Sequence, residues 1–197
     1  MTKMLPGRFL SRFTRNVQGL VLTQQTSTSQ TLGFMTVVEL PSLGHCGGLL
    51  VVSQIGRPVE FHCTAPVGPN RAQEIMYGQT YQGFLFSDQI GMALVDKTRQ
   101  QPDIFVTDCA EMLPITELMD GSLVLAETGG QEPPFDGRGL SSFTVDDQPI
   151  YCVNSKGDQI DSIRQCIESF SRKLPLDEPF ERIRKAIEEA HSVFRAA

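Results

Sequence analysis

The pattern of apolar and polar residues changes character at residue 34. Phe34-Met35-Thr36-Val37-Val38-Glu39-Leu40 is β-rich and predicts a strand, Pro41 to Gly48 supplies turn residues, and Leu49-Leu50-Val51-Val52 predicts a second strand. Ser53 to Arg57 reads as a turn around Gly56, and Val59-Glu60-Phe61-His62-Cys63-Thr64 alternates as a third strand, which makes an antiparallel meander. Pro66 and Pro69 forbid continuing the ladder, and Asn70 is placed to cap a helix over Arg71–Tyr77 that closes at Gly78.

Between Phe84 and Arg99 the apolar Phe86, Ile90, Ala93 and Leu94 recur at three- and four-residue spacing, with Lys97 on the edge of the stripe, so a second and longer helix is predicted to lie on the sheet. Pro102 to Asp108 is short and β-branched and reads as a buried strand that emerges at an acid. A helical turn around Ala110 to Met119 follows, then a strand over Ser122 to Ala126, a Gly/Pro-rich loop from Thr128 to Ser142, and a strand over Pro149 to Val153. Two helices close the chain. Asp158 is positioned to cap one whose apolar face is Ile160, Ile163, Ile167 and Phe170, and Asp177 another with Phe180, Ile183, Ile187 and Phe194. Strand, helix, strand order implies an α/β fold: a three-strand meander extended into a mixed sheet with covering helices.

Upstream of this body the texture is different. Phe9, Phe13 and Val17 recur every four residues among Arg8, Arg12 and Arg15, and Thr23 to Thr31 is polar and uncharged. The organisation expected is a basic extension and linker over residues 1–32 and a single α/β domain over 33–197 that ends in a helical hairpin. An Arg-rich, acid-free start also fits an organellar transit peptide, although it lacks the apolar core of a secretory signal.

Charge sharpens that division. The chain of 197 residues carries a net −6, but its first acid is Glu39, so residues 1–38 hold +4 and the rest −10. An acidic body argues against an open basic face gripping a nucleic-acid backbone. No apolar run approaches the ~18 residues of a membrane span. An intracellular, cytoplasmic setting is therefore expected. Five cysteines form no C-x-x-C pair, and buried apolar cysteine is the default expectation. His45-Cys46 and His62-Cys63 are adjacent pairs on strands and so cannot each offer both side chains to one zinc. Gly44-His45-Cys46-Gly47-Gly48 matches the form of a nucleophile elbow, which would make Cys46 the centre of a cysteine hydrolase or amidotransferase-like enzyme, yet the segment after it reads as strand and not as the helix an elbow requires.

The acids fall at more telling places: Glu39 on the first strand, Glu74 on the first helix, and Asp108 at the end of the next strand. Together with the Gly-rich hairpin (Gly44 to Gly48, Gly56-Arg57), the helix start Asn70-Arg71-Ala72-Gln73-Glu74 and the strand end Thr107-Asp108, this arrangement resembles the ribonuclease H-like nuclease superfamily over residues 34 to 120. The resemblance implies that Glu39, Glu74 and Asp108 are catalytic acids holding Mg²⁺ or Mn²⁺, with a fourth metal ligand at Asp161 or Asp158, or at Glu127. Two-metal phosphodiester cleavage needs such carboxylates within about 5 Å of a common point, so this reading requires Glu39, Glu74 and Asp108 to converge. Each acid also has an ordinary role open to it: Glu39 ending a strand in solvent, Glu74 pairing with Arg71, Asp108 capping the segment at Ala110. Asn70, Arg71, His45, His62 and Tyr77 are equally open as substrate contacts or framework groups.

Two function classes follow. One is a divalent-metal-dependent nuclease or related phosphoryl-transfer protein acting on nucleic acid. The other is a non-catalytic module that holds protein partners through its C-terminal helical hairpin and basic N-terminal arm.

Overall fold

The computed structural model describes residues 15–16, 19–20, 30–126, 139–153 and 159–195. Arg15–Asn16 and Gly19–Leu20 pair antiparallel as a short ribbon. The expected polar linker, the candidate acids Glu127 and Asp158 and most of the loop from Thr128 lie outside the described residues.

Strand β1 (Thr31–Leu40) pairs antiparallel with β2 (Gly44–Ser53), and β2 with β3 (Pro58–Cys63), which is the meander the alternation predicts. Helix α1 (Arg71–Tyr77) follows, its first turn satisfied by the Asn70 side chain, which accepts from Ala72 N at 3.1 Å and Gln73 N at 3.3 Å. A crossover helix then runs through Tyr81–Phe84, the π-helical Leu85–Gly91 and Met92–Val95. It delivers the chain to β4 (Ile104–Thr107), parallel to β1, and the 3₁₀ segment Ala110–Glu117 leads to β5 (Ser122–Ala126), parallel to β4. The hairpin β6 (Leu140–Val145) and β7 (Gln148–Val153) completes a seven-stranded mixed sheet of order β3-β2-β1-β4-β5-β7-β6. This is an α/β fold with a mixed sheet and covering helices, with the meander on one side of the parallel pair. Helices α2 (Ile160–Ser171) and α3 (Glu178–Arg195) close the chain.

The sheet separates two cores. On one face Phe34, Cys46, Leu50 and Val106 pack under Ile163, Ile167, Phe170, Phe180, Ile183 and Ile187 of α2 and α3; on the other Met35, Leu49, Val51 and Phe105 pack under Leu85, Phe86, Ile90 and Leu94 of the crossover helix. The apolar stripe of the C-terminal hairpin thus covers the sheet. Among the described residues no helix is long and apolar enough to cross a membrane.

Two segments depart from the sequence pattern. The run Gly44-His45-Cys46-Gly47-Gly48, expected as turn, lies inside β2, and the turn shrinks to Pro41–Leu43, where Ser42 has φ 65°. Both middle glycines answer to tertiary packing: a Cβ on Gly47 would strike Ile90 of the crossover helix, and one on Gly48 would strike Ile183 of α3. Strand β6, whose first residues were expected as loop, forms because Phe143 and Val145 alternate inward and Asp146 and Asp147 adopt φ 49° and 64°, the left-handed pair that closes a tight hairpin.

Candidate functional site

Parity along β1 decides which side chains meet at the end of the parallel strands. Phe34 packs toward α2 and α3 while Met35 packs toward the crossover helix, so Thr36 faces α3 and Glu39 faces away from it. On β4, Val106 faces α3, and Asp108, two residues on, continues that face. The parallel register runs from Leu32↔Ile104 to Met35↔Thr107, which brings Thr36 beside Asp108.

Asp108 is the centre of this site. Its side chain is only 4% exposed, the Thr36 hydroxyl donates to its carboxylate, and Arg184 of α3 donates Nη2 to Oδ2 in an ion pair. Burial pushes the carboxyl pKa up from its ordinary value, and the Thr36 hydrogen bond and the Arg184 charge oppose that rise. Next to it the Cys109 thiol donates to Glu111 Oε2 at 3.2 Å, and burial together with the charges of Glu111 and Asp108 drives that thiol well above the usual range. The cap expected of Asp108 does not form: the 3₁₀ segment begins after Cys109 with no side-chain cap, and Cys109 N donates to Thr107 Oγ1 at 3.1 Å.

The other sequence-predicted ligands are elsewhere. Glu39 is exposed, in register with His45 on the face of the sheet opposite Asp108. Glu74 accepts from Arg71 Nη1 at 3.2 Å on the surface of α1, the local pairing its spacing allows. Asp161 is exposed in the first turn of α2. Among the described residues no three His, Cys, Asp or Glu side chains gather where they could hold a metal ion. Mg²⁺ and Mn²⁺ take several carboxylate or carbonyl oxygens, and the strand end offers one buried carboxylate that a guanidinium already neutralises. The donors among the described residues do not fit the ions the acid pattern implies.

Cys46 does not occupy an elbow. It sits within β2 at 0% exposure, its thiol donates to the Thr64 carbonyl at 3.2 Å with His191 Nε2 3.8 Å away, and burial, with Cys63 nearby, pushes its pKa up to about 11. A shielded, protonated thiol on a strand is a packing group. The two His-Cys pairs divide as strand alternation requires: Cys46 and Cys63 join the core under α3, His45 packs against Phe86 with tilted rings 5.1 Å apart, and His62 contacts Glu60 at 2.6 Å. Tyr77 stacks on Phe84 at 3.9 Å, and Asn70 N donates to Tyr81 Oη at 3.2 Å, so these are framework contacts of α1.

Three residues escaped the sequence reading. Thr36 and Arg184 carry no motif; the only signal for either is its position opposite a strand-end acid. Glu60 is fully buried at 0% exposure and accepts from Gln100 N at 2.9 Å and Arg99 N at 3.1 Å, which ties the exit of the crossover helix to edge strand β3. An acid between Val59 and Phe61 in an alternating strand was the available sign.

No family model matches the chain, and no curated protein matches it. Among solved structures, the chain is similar to Ciona intestinalis endonuclease V in complex with a 23mer DNA containing an inosine followed by a ribo-adenosine, with 11% identity, TM-score 0.46, and 86% of this chain and 92% of that one covered. It is also similar to human ENDOV, with 13% identity, TM-score 0.41, and 86% and 93% covered.

Proposed function

We propose that this chain is a binding domain built on a ribonuclease H-like sheet, working by association with a protein partner and not by metal-dependent phosphodiester cleavage. The observation that carries the reading is the Asp108–Arg184 pair. A carboxylate buried to 4% needs a counter-charge, and here the counter-charge is covalently part of the chain. A metal-centred nuclease would require Glu39 and Asp108 on one face, and the strand parity supports the opposite. A surface for association is at hand in α1, a helix that buries none of its residues and leaves Ile75 at 67% and Met76 at 83% exposed.

The test is a cleavage assay on single- and double-stranded DNA and RNA with Mg²⁺ or Mn²⁺, comparing the full chain with Asp108→Asn. Equal, background-level cleavage by both proteins is expected. Metal-dependent cleavage that disappears in Asp108→Asn overturns the proposal and restores the nuclease reading with Asp108 as a metal ligand.

A further inference from the structure

The two edges of the sheet, β3 and β6, are built differently. At the β3 edge the chain uses the devices that keep an edge from pairing with another chain. Pro58 opens the strand, its register with β2 shifts at Val51/Val52, Glu60 is a charge turned inward at 0% exposure, and the Gly19–Leu20 ribbon lies beside it. Strand β6 has none of these. Leu140-Ser141-Ser142-Phe143-Thr144-Val145 contains no charge and no proline, and its pairing with β7 runs from Leu140↔Val153 to Val145↔Gln148 without a bulge.

The hairpin decides which main-chain groups β6 leaves open. The two-residue turn Asp146-Asp147 makes Val145 and Gln148 a hydrogen-bonded pair, and bonded and unbonded pairs alternate from there. Phe143 and Ser141 are therefore bonded to β7, while Leu140, Ser142 and Thr144 turn their N–H and C=O outward. Pro149, opposite Thr144 and with no N–H to give, fits this phase. Among the described residues no hydrogen bond reaches those outward groups, and Ser142 and Thr144 are exposed. The buried Phe143 and Val145, in the core beneath α2, hold the strand in place, so the open edge is presented on a fixed element.

We infer that β6 is a dimerisation edge, pairing antiparallel with β6 of a second copy of this chain across a two-fold axis at Ser142. That register is self-complementary: Ser142 meets Ser142 of the second copy and Leu140 meets its Thr144, so the outward groups of both strands are satisfied by about six main-chain hydrogen bonds. The axis brings no like charges together along the strand, since β6 has none. On α2, Asp161 and Glu168 flank Arg164, which lies over Phe143 at 5.3 Å, so two copies of α2 beside that axis meet with mixed charge and not a block of one sign. The blunted β3 edge ends the assembly at two. Pairing β6 with β6 leaves only protected edges, which cannot extend into a filament.

The pairing uses neither α1 nor Asp108, so it is decided separately from the cleavage question. Sedimentation equilibrium of the full chain is expected to show a mass rising from 21.8 kDa toward twice that value as concentration goes from about 1 µM to about 200 µM. Over the same range, amide exchange at Leu140, Ser142 and Thr144, followed by NMR, should slow at least about tenfold. Ser142→Pro removes an N–H that the β6–β7 ladder does not use, and Ser142→Lys sets two cations opposite each other at the axis. Each should weaken the dimer at least about tenfold, with a thermal melt at the lowest concentration like that of the parent; should the proline variant melt early, the lysine variant decides. A chain that stays at 21.8 kDa throughout overturns the inference, as does a dimer that the folded variants leave intact or that Ile75→Ser/Met76→Ser dissociates instead. Amides of Ser142 and Thr144 already protected in the monomer would place a segment of the same chain on the edge and overturn it as well.

Discussion

At the scale of single residues, Asp108 shows how a buried carboxylate is held by partners within its own chain. Desolvation raises its pKa; Thr36 and Arg184 pull it back only in part. Its folded pKa therefore lies above its unfolded value. Between those two values the folded protein holds a proton that the unfolded chain has released, so this group favours folding as pH falls and opposes it as pH rises. Removing the cation widens that window. Arg184→Met should cost about 1–2 kcal/mol at pH 7 in urea unfolding, below the range for breaking a fully buried pair because Arg184 is 41% exposed and its charge is solvent-screened. Measured against the parent at each pH, the deficit should shrink as pH falls and Asp108 takes up its proton. A deficit that stays flat as pH falls would mean that Arg184 acts through packing alone. Cys46 offers a second check at this scale: with 0% exposure and a pKa pushed to about 11, it should resist iodoacetamide at pH 8 in the native protein and react only on unfolding.

Elements are where the sequence pattern succeeded and where it slipped. The Asn70 cap, the strand ending at Asp108 and the apolar stripes of α2 and α3 were legible because each is a local signal: a side chain over its own helix start, or a period of two or 3.6 residues. The Gly47-Gly48 run was misread as turn because what places glycine there is not local. Two helical layers press on β2 from opposite sides, Ile90 over Gly47 and Ile183 over Gly48, and only a residue without Cβ admits both. Gly48→Val should accordingly lose about 3 kcal/mol of stability by overpacking, and Ile183→Ala added to it should recover part of that loss. Equal, additive losses would argue that α3 does not bear on β2 at this point. The β6–β7 hairpin was hidden by its turn, since Asp146-Asp147 lacks the glycine that usually marks two left-handed residues. Asp147→Gly relieves the strained φ of 64° and should raise the midpoint of thermal unfolding, by about 0.5 kcal/mol of added stability.

Across the whole molecule the candidate site turned on something a linear pattern does not encode. Residue spacing put Glu39 on the first strand and Asp108 at the end of the strand after the crossover helix; it left open which face each acid takes, and a step of one residue along β1 exchanges Glu39 for Val38. Thr36 meets Asp108 because 72 residues of chain, including the crossover helix, return β4 beside β1, and Arg184 arrives from a helix 76 residues further on. The consequence is measurable without any substrate. A divalent-metal site with a Kd near 10 µM would stabilise the folded chain by about 2.7 kcal/mol at 1 mM metal, which for a protein of this size raises the unfolding midpoint by about 5–10 °C. With one carboxylate already paired to Arg184 and Glu39 on the far face, 1 mM Mn²⁺ or Mg²⁺ should shift the midpoint by less than about 1 °C. A larger shift that vanishes in Asp108→Asn would show that a metal ion competes successfully with Arg184 for the buried carboxylate; one that survives in Asp108→Asn would place the ion elsewhere in the acidic body.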